Sequence, residues 1–288
     1  MRSFVRVSLF LVSGFAAVGA SAQTPISLTV SGNEAVGSID LPGGLRADLS
    51  ISFENAVGLT PTALDVTARV VSPLDSELLA RLPADTTGGL LGGLLRLVTI
   101  PGALPVLIAI EPSAASALSF SGVVHVGLHT YNLHLTPVIP LALYKAAAGQ
   151  PFYDITISEA TGSYRVCGSG GDFSEFLIVV DTRPIDEIIT GKFDALQAQL
   201  DAGAGSMPAL VAAELQQQLS NARSLFETGA TLPAIAAVSS LSQYVRDHSG
   251  AEIPDVWRAH DATHVNVAGR LRSAADTLRF SLIRKSNN

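Results

Sequence analysis

Hydrophobic and polar residues alternate with period two up to about Thr182 and then recur in steps of three and four. Ile26, Leu28 and Val30 alternate with Ser27, Thr29 and Ser31. Leu45, Ala47, Leu49, Ile51 and Phe53 alternate with Arg46, Asp48, Ser50, Ser52 and Glu54. Such alternation predicts strands with one buried face and one wet face. Val66, Ala68 and Val70 continue it. Val124, Val126 and Leu128 keep one phase while Tyr131, Leu133 and Leu135 keep the other, which predicts a β-bulge near Thr130. Phe176-Leu177-Ile178-Val179-Val180 is apolar on both faces and predicts a central strand. Many short strands with glycine and proline turns point to an antiparallel β-sandwich.

Two helical pieces interrupt this pattern. Ser72 as N-cap, Pro73 at the first helical position and Asp75 predict a short helix ending before Pro83. The run 88–110 carries one charge, Arg96, but its glycines and prolines break any continuous membrane helix. It reads as a short apolar helix near Leu90–Val98, a turn at Pro101-Gly102 and a strand over Val106–Ile110.

Beyond Thr182, four helical segments begin near Pro184, Pro208, Pro233 and Pro254. Three of them end at Gly203, Gly229 and Gly250. Proline suits a first turn whose N–H groups have no helical partner, and glycine suits the left-handed stop. Their stripes are Ile185, Ile189, Phe193, Leu196 and Leu200; then Val211, Leu215, Leu219, Ala222 and Phe226; then Ile235, Val238, Leu241 and Val245. The fourth runs through Trp257, His260, His264, Val267, Leu271, Ala274, Leu278 and Leu282. Short connections then predict a four-helix bundle.

Residues 1–22 have the form of a cleavable export signal. Arg2 and Arg6 precede an apolar stretch over Val7–Val18 that ends in Ala20-Ser21-Ala22. Cleavage is expected between Ala22 and Gln23. The stretch is shorter than the ~20 residues of a membrane span, and Gln23 rather than cysteine follows it, which argues against a lipid anchor. Cleavage removes two of 18 basic and none of 25 acidic residues, so the net charge moves from −7 to −9. An acidic chain does not attract phosphate backbones, so nucleic acid is not an expected partner. Cys167 is the only cysteine, so no intrachain disulfide is available. It reads as a small buried side chain in a strand.

Two stretches resemble known families. Phe120-Ser121-Gly122-Val123-Val124, Leu141-Ala142-Leu143-Tyr144-Lys145 and Asp172-Phe173-Ser174-Glu175-Phe176 make 104–181 similar to the second half of a ZU5-type β-sandwich. Some ZU5-type domains cleave themselves between Phe and Ser of a His-Phe-Ser motif; here Asp172 replaces the histidine that activates the serine. Leu219, Ala222 and Leu225, the run Leu241 to Gly250, Ile253-Pro254, and Leu271, Ala275 and Leu278 make 214–282 similar to the helical domain named after a Phe-Ile-Met-Ala-His motif. That resemblance implies a non-catalytic appendage of a bacterial extracellular protein.

Candidate chemistry is sparse. His260 and His264, four apart on one predicted helix face beside Trp257, have the spacing of two imidazoles on one metal. Asp261 stands where a His-Glu-x-x-His protease has its glutamate. With no third ligand in view, the three residues read as a bundle edge or a candidate ligand-binding patch rather than a metal site. His125, His129 and His134 lie on the polar face of a strand. Four residues there span about 13 Å, too far for one metal with bonds of about 2 Å, so they belong to a solvated face or to a binding face completed by neighbouring strands. Gly168-Ser169-Gly170-Gly171 is neither a nucleophile elbow nor a phosphate loop. Arg258, Arg270, Arg272, Arg279, Arg284 and Lys285 make the last helix basic, which reads as a solvated face partly paired with acids on the first helix.

The expectation is an α+β protein: signal peptide 1–22, β-sandwich 23–182 with a helical insertion near 73–98, and four-helix bundle 183–288. It is expected to be exported, periplasmic or extracellular, without cofactor, transmembrane helix or catalytic set. Its role is that of a binding or structural protein of the bacterial envelope, with an envelope protein or polysaccharide as partner. The competing expectation is an envelope hydrolase or metal-dependent enzyme with a site between the two parts.

Overall fold

The structure, a computed structural model, describes residues 23–41, 44–84, 96–135, 140–160 and 162–287. In chain order the strands are β1 (Thr24–Ile26), β2 (Leu28–Ser31), β3 (Glu34–Leu41), β4 (Leu45–Val57) and β5 (Leu64–Val70), followed by helix α1 (Ser76–Arg81). Strands β6 (Val98–Thr99), β7 (Val106–Pro112), β8 (Ser119–Leu135), β9 (Leu141–Ala146), β10 (Tyr153–Asp154), β11 (Thr156–Ala160), β12 (Gly162–Gly170) and β13 (Glu175–Asp181) come next. Helices α2 (Ile185–Gly203), α3 (Ala209–Glu227) and α4 (Thr231–His248) precede strand β14 (Val256–Arg258) and helix α5 (Val267–Asn287). The fold is α+β, as the change of period predicts.

The strands form two antiparallel sheets. One has the order β1-β5-β7-β13-β9-β10, with β6 also on β13; the other has the order β11-β12-β8-β4-β3-β2, with β14 also on β8. The inward residues of both share one core, including Ile39, Leu49, Ile51 and Val126 from one sheet and Ile108, Ile110, Leu143 and Phe176 from the other. β13 is central and buried on both faces, as its apolar run requires. Its second face packs Leu177 and Val179 against Leu78 and Leu82 at α1, with Val98 and Ile100. The bulge expected near Thr130 is present: β8 and β12 pair at His129–Arg165 and next at His134–Ser163.

Helices α2 to α5 close around a separate core in which Ile189, Phe193, Leu215, Leu219, Val238, Leu241, Leu271 and Leu278 are buried. Each helix packs on two neighbours, in the cyclic order α2-α3-α4-α5. The predicted stripes of the first three helices face this core.

Three expectations need correction. The short helix begins at Ser76 rather than Pro73. Asp75 is its N-cap, its carboxylate accepting from the N–H groups of Glu77 (3.0 Å) and Leu78 (3.1 Å), while the Ser72 hydroxyl only accepts from Leu74 N–H in the preceding turn. Val98 lies in strand β6 rather than at a helix end; the rest of the helix expected near Leu90–Val98 falls outside the described residues. Most consequentially, the fourth bundle helix begins at Val267, not near Pro254. Asn266 caps it, its Oδ1 accepting from Gly269 N–H at 2.7 Å. Before that cap the chain returns to the sandwich, where β14 pairs Trp257 with Phe120 on β8.

Candidate functional site

The early return to the sandwich moves Trp257, His260 and His264 off any helix. Trp257 packs against Phe120 (5.2 Å between ring centroids) and Phe173 (5.4 Å), with Phe53 completing the cluster. The rings meet edge to face or tilted, and their burial closes one end of the sandwich core. His260 sits in a turn with φ +60° and bonds through Nε2 to the Ser113 carbonyl at 2.7 Å. His264 bonds through Nδ1 to Asp261 at 2.6 Å. Hydrogen bonds from the Thr263 hydroxyl and N–H, with His264 adding to them, push the Asp261 carboxyl down to about 2. The turn, not a helix period, sets the relation of the two imidazoles, and no metal-holding cluster of three His, Cys, Asp or Glu occurs among the described residues.

The basic helix is a solvated face only in part: Arg279 is exposed, Arg258 lies on β14 rather than on the helix, and other cations reach the sandwich. Arg272, 5% exposed, donates from Nη1 and Nη2 to the two oxygens of Glu54 at 2.7 and 3.2 Å. Glu54 stands opposite Gly122, whose φ of +75° lets β8 bulge, and the Glu54 carboxylate also takes Val123 N–H at 3.1 Å. Burial would raise the Glu54 carboxyl; Arg272 and that N–H outweigh it and hold it below the usual range. Asn266 Nδ2 donates to the Gly122 carbonyl at 2.6 Å. Arg270 meets Asp172 at 2.6 Å and Arg284 meets Glu159 at 3.5 Å. Lys285 does pair with Asp186 on α2, as expected of a helix-to-helix contact. So α5 belongs to the bundle on one face and is bolted to the sandwich on the other.

This docking divides the outer face of the second sheet. His125 lies at the covered end, where burial lowers its pKa against the opposing charges of Asp276 and Glu54. The rest of the face is open. Pairing register aligns Ser38, Asp48, His129 and Arg165 in one row across β3, β4, β8 and β12. The next row is Val36, Ser50, Gly127, Cys167 and Ser158. These small side chains floor a cavity of about 790 Å³, which also reaches Ser27 and Thr29. Gly127 keeps the floor low: a Cβ there would meet Ser50 Oγ at 2.5 Å. Tyr131, half exposed, stands beside two of the lining residues, donating its hydroxyl to Asp48 and lying 4.7 Å from the His129 ring, and carries the Arg46 guanidinium 5.4 Å above its own ring. Cys167 is half-buried rather than fully buried, and burial pushes its thiol up to about 11, so it is protonated near neutrality.

Of the polar-face histidines, His129 lines this cavity. His134 pairs with Ser163 farther along β8. Asp48 and Arg165 carry no sequence signal of their own; only strand register brings them beside His129.

The Phe173-Ser174 pair singled out in the sequence is not set up for self-cleavage. Ser174 donates its hydroxyl to the Ala146 carbonyl. Asp172, at the place of the activating histidine, is held by Lys145 and Arg270. Burial would raise its carboxyl, but the charges of those two residues outweigh it and keep it ionised. Neither group is arranged to activate a serine.

A family profile described as a family of unknown function, DUF6689, matches residues 9–286. The chain belongs to DUF6689. No curated protein and no solved structure matches it. The DUF6689 match runs through both the sandwich and the helices, so the docked junction and the open sheet face lie within the family's span. Among the described residues, no helix of this DUF6689 chain is long and apolar enough to cross a membrane.

Proposed function

We propose that the chain is an exported, non-catalytic binding protein of the bacterial envelope or secretome, and that its open sheet face takes a polysaccharide. The observation that carries this reading is the pair of aligned rows. A floor of small residues from five strands extends about 19 Å at the usual ~4.8 Å spacing, flanked by Asp48, His129 and Arg165. Ser27, Thr29, Ser38, Ser50 and Ser158 add hydroxyls to the lining. Asp48 and Arg165 offset one another in charge, so the face favours a polar but weakly charged ligand. Planar carboxylate, imidazole and guanidinium groups can each bond adjacent sugar hydroxyls. A wet, shallow groove of this kind binds without a deep pocket.

The leader-like segment 1–22 supports export, and tagged full-length protein recovered outside the cytoplasm with Gln23 at its N-terminus tests it. The binding reading is tested by co-sedimentation with cellulose, chitin and isolated peptidoglycan. Retention on at least one, lost in an Asp48→Ala/Arg165→Ala double variant, is the expected result. Equal retention of both proteins, or retention of neither, overturns it.

A further inference from the structure

A second cavity lies between the sandwich and the bundle. It measures about 410 Å³ and is lined by β10, the Gly170-Gly171-Asp172 turn, α2 and α5. The charges around it do not cancel. Lys192 and Asp154 pair at 2.7 Å and Lys192 also donates to the Thr277 carbonyl at 3.1 Å, a self-contained neutral couple. Asp172 by contrast serves two cations. One of its oxygens takes Lys145, the other takes Arg270 at 2.6 Å, and its backbone carbonyl accepts from Lys145 Nζ at 2.6 Å. Lys145 is 2% exposed, and no second carboxylate reaches ion-pair distance of Lys145 or Arg270 among the described residues. The triad therefore holds one positive charge in excess. Arg270 Nε, moreover, is buried with no hydrogen-bond partner. Lys145 is sealed in, but Arg270 is 37% exposed at the crevice, so the uncompensated charge stands where an anion entering the crevice can reach it.

The lining also limits what that anion can be. Phe152 and Ile155 on the sandwich side and Ala195, Ala198 and Ala274 on the helices make an apolar wall. Gly170 and Gly171 add no side chain. At Gly171 a Cβ would collide with Arg270 N at 2.7 Å, so the turn must stay bare for α5 to approach. A hydrated inorganic ion would leave that wall unfilled.

We propose that this crevice binds a small organic carboxylate, its carboxylate on Arg270 beside the Asp172–Lys145 pair and its apolar body along Phe152, Ile155 and the alanines. Such a ligand would touch sandwich and bundle at once, so its binding raises the stability of their docked state by mass action. The inference is independent of the sheet-face reading.

The test is calorimetric titration and thermal unfolding of the full chain with benzoate. Benzamide, sulfate and sodium chloride at matched ionic strength are the controls. Saturable benzoate binding with a rise in Tm beyond that of the three controls is expected. Arg270→Gln should weaken it by about tenfold or more, the effect of losing one charge-assisted bond. Ala198→Leu, at an exposed position on the rim, should block it with the fold intact by circular dichroism. This second variant decides the matter should Arg270→Gln fail to fold. Benzoate acting no more than sodium chloride, or binding Ala198→Leu as well as the parent, overturns the proposal. Sulfate matching benzoate also overturns it, since the apolar wall would then play no part.

Discussion

Glu54 and Arg272 lie 218 residues apart and share two hydrogen bonds, of 2.7 and 3.2 Å, across the seam between sheet and helix. The pair is uneven: Arg272 is 5% exposed and Glu54 36%. Removing the carboxylate strands a buried guanidinium, whereas removing the guanidinium leaves a carboxylate that water reaches. Glu54→Gln is therefore expected to cost about 3 kcal/mol and Arg272→Met less, about 1–2 kcal/mol, in urea unfolding. Equal costs below 0.5 kcal/mol, on the order of a surface substitution, would show that the seam does not depend on this pair.

Gly269 sets two local rules against each other. In a helical position alanine beats glycine by about 1 kcal/mol. A Cβ at Gly269, however, would stand 2.3 Å from the Gly122 carbonyl oxygen and 2.4 Å from Asn266 Nδ2. The first neighbour is backbone and cannot rotate away, so overpacking of about 1–3 kcal/mol outweighs propensity. Gly269→Ala should thus destabilise the protein in equilibrium denaturation; a stabilised variant contradicts the close approach.

Trp257 is the only tryptophan, so intrinsic fluorescence reports directly on β14. Trp257→Ala removes ring contacts with Phe120 and Phe173 and should cost about 2–4 kcal/mol, toward the lower part of the range for buried aromatics because the indole is half-buried. In the parent, Trp257 emission should shift red together with loss of strand circular dichroism. Emission that shifts with helix loss while the strands persist would place Trp257 with the bundle instead.

Acid should loosen the seam. Glu54 and Asp172 both have carboxyls lowered from their ordinary values of 4.5 and 3.8. A carboxyl lowered on folding adds stability that is full above its unfolded value and is lost as pH falls through the folded one. Asp276 has the opposite sign: burial raises its carboxyl, so its contribution is full below its unfolded value and falls as pH rises through the folded one. With Asp261 also lowered, three lowered carboxyls against one raised predict a net drop in Tm as pH goes below about 4. Glu54→Gln should blunt that drop, and an unchanged pH profile in this variant would remove Glu54 as its source.

Much of the architecture was legible because it rests on local periodicity. Strands such as Leu45–Val57 and helices such as Ile185–Gly203 bury the residues that alternation and three-four spacing select. Trp257, His260 and His264 continue the stripe of Leu271 and Leu278 by coincidence of spacing, although the fourth helix begins only at Val267. Asn266, a strong N-cap residue directly before Val267, was the available counter-signal. The rows of the open face were beyond reach for a different reason. Asp48, His129 and Arg165 become neighbours only through the register of three strands, and register is a property of pairing, not of any one segment. The docking partners Glu54 and Asp172 of the basic helix were hidden in the same way.

The most direct test of the binding reading is to map where a soluble ligand lands. Backbone amide shifts recorded during titration with a cello- or chito-oligosaccharide are predicted to move at Ser50, Gly127, His129 and Cys167, and to stay still in α3 and α4. Shifts confined to the Trp257–Val265 stretch, or none anywhere at saturating ligand, would contradict it.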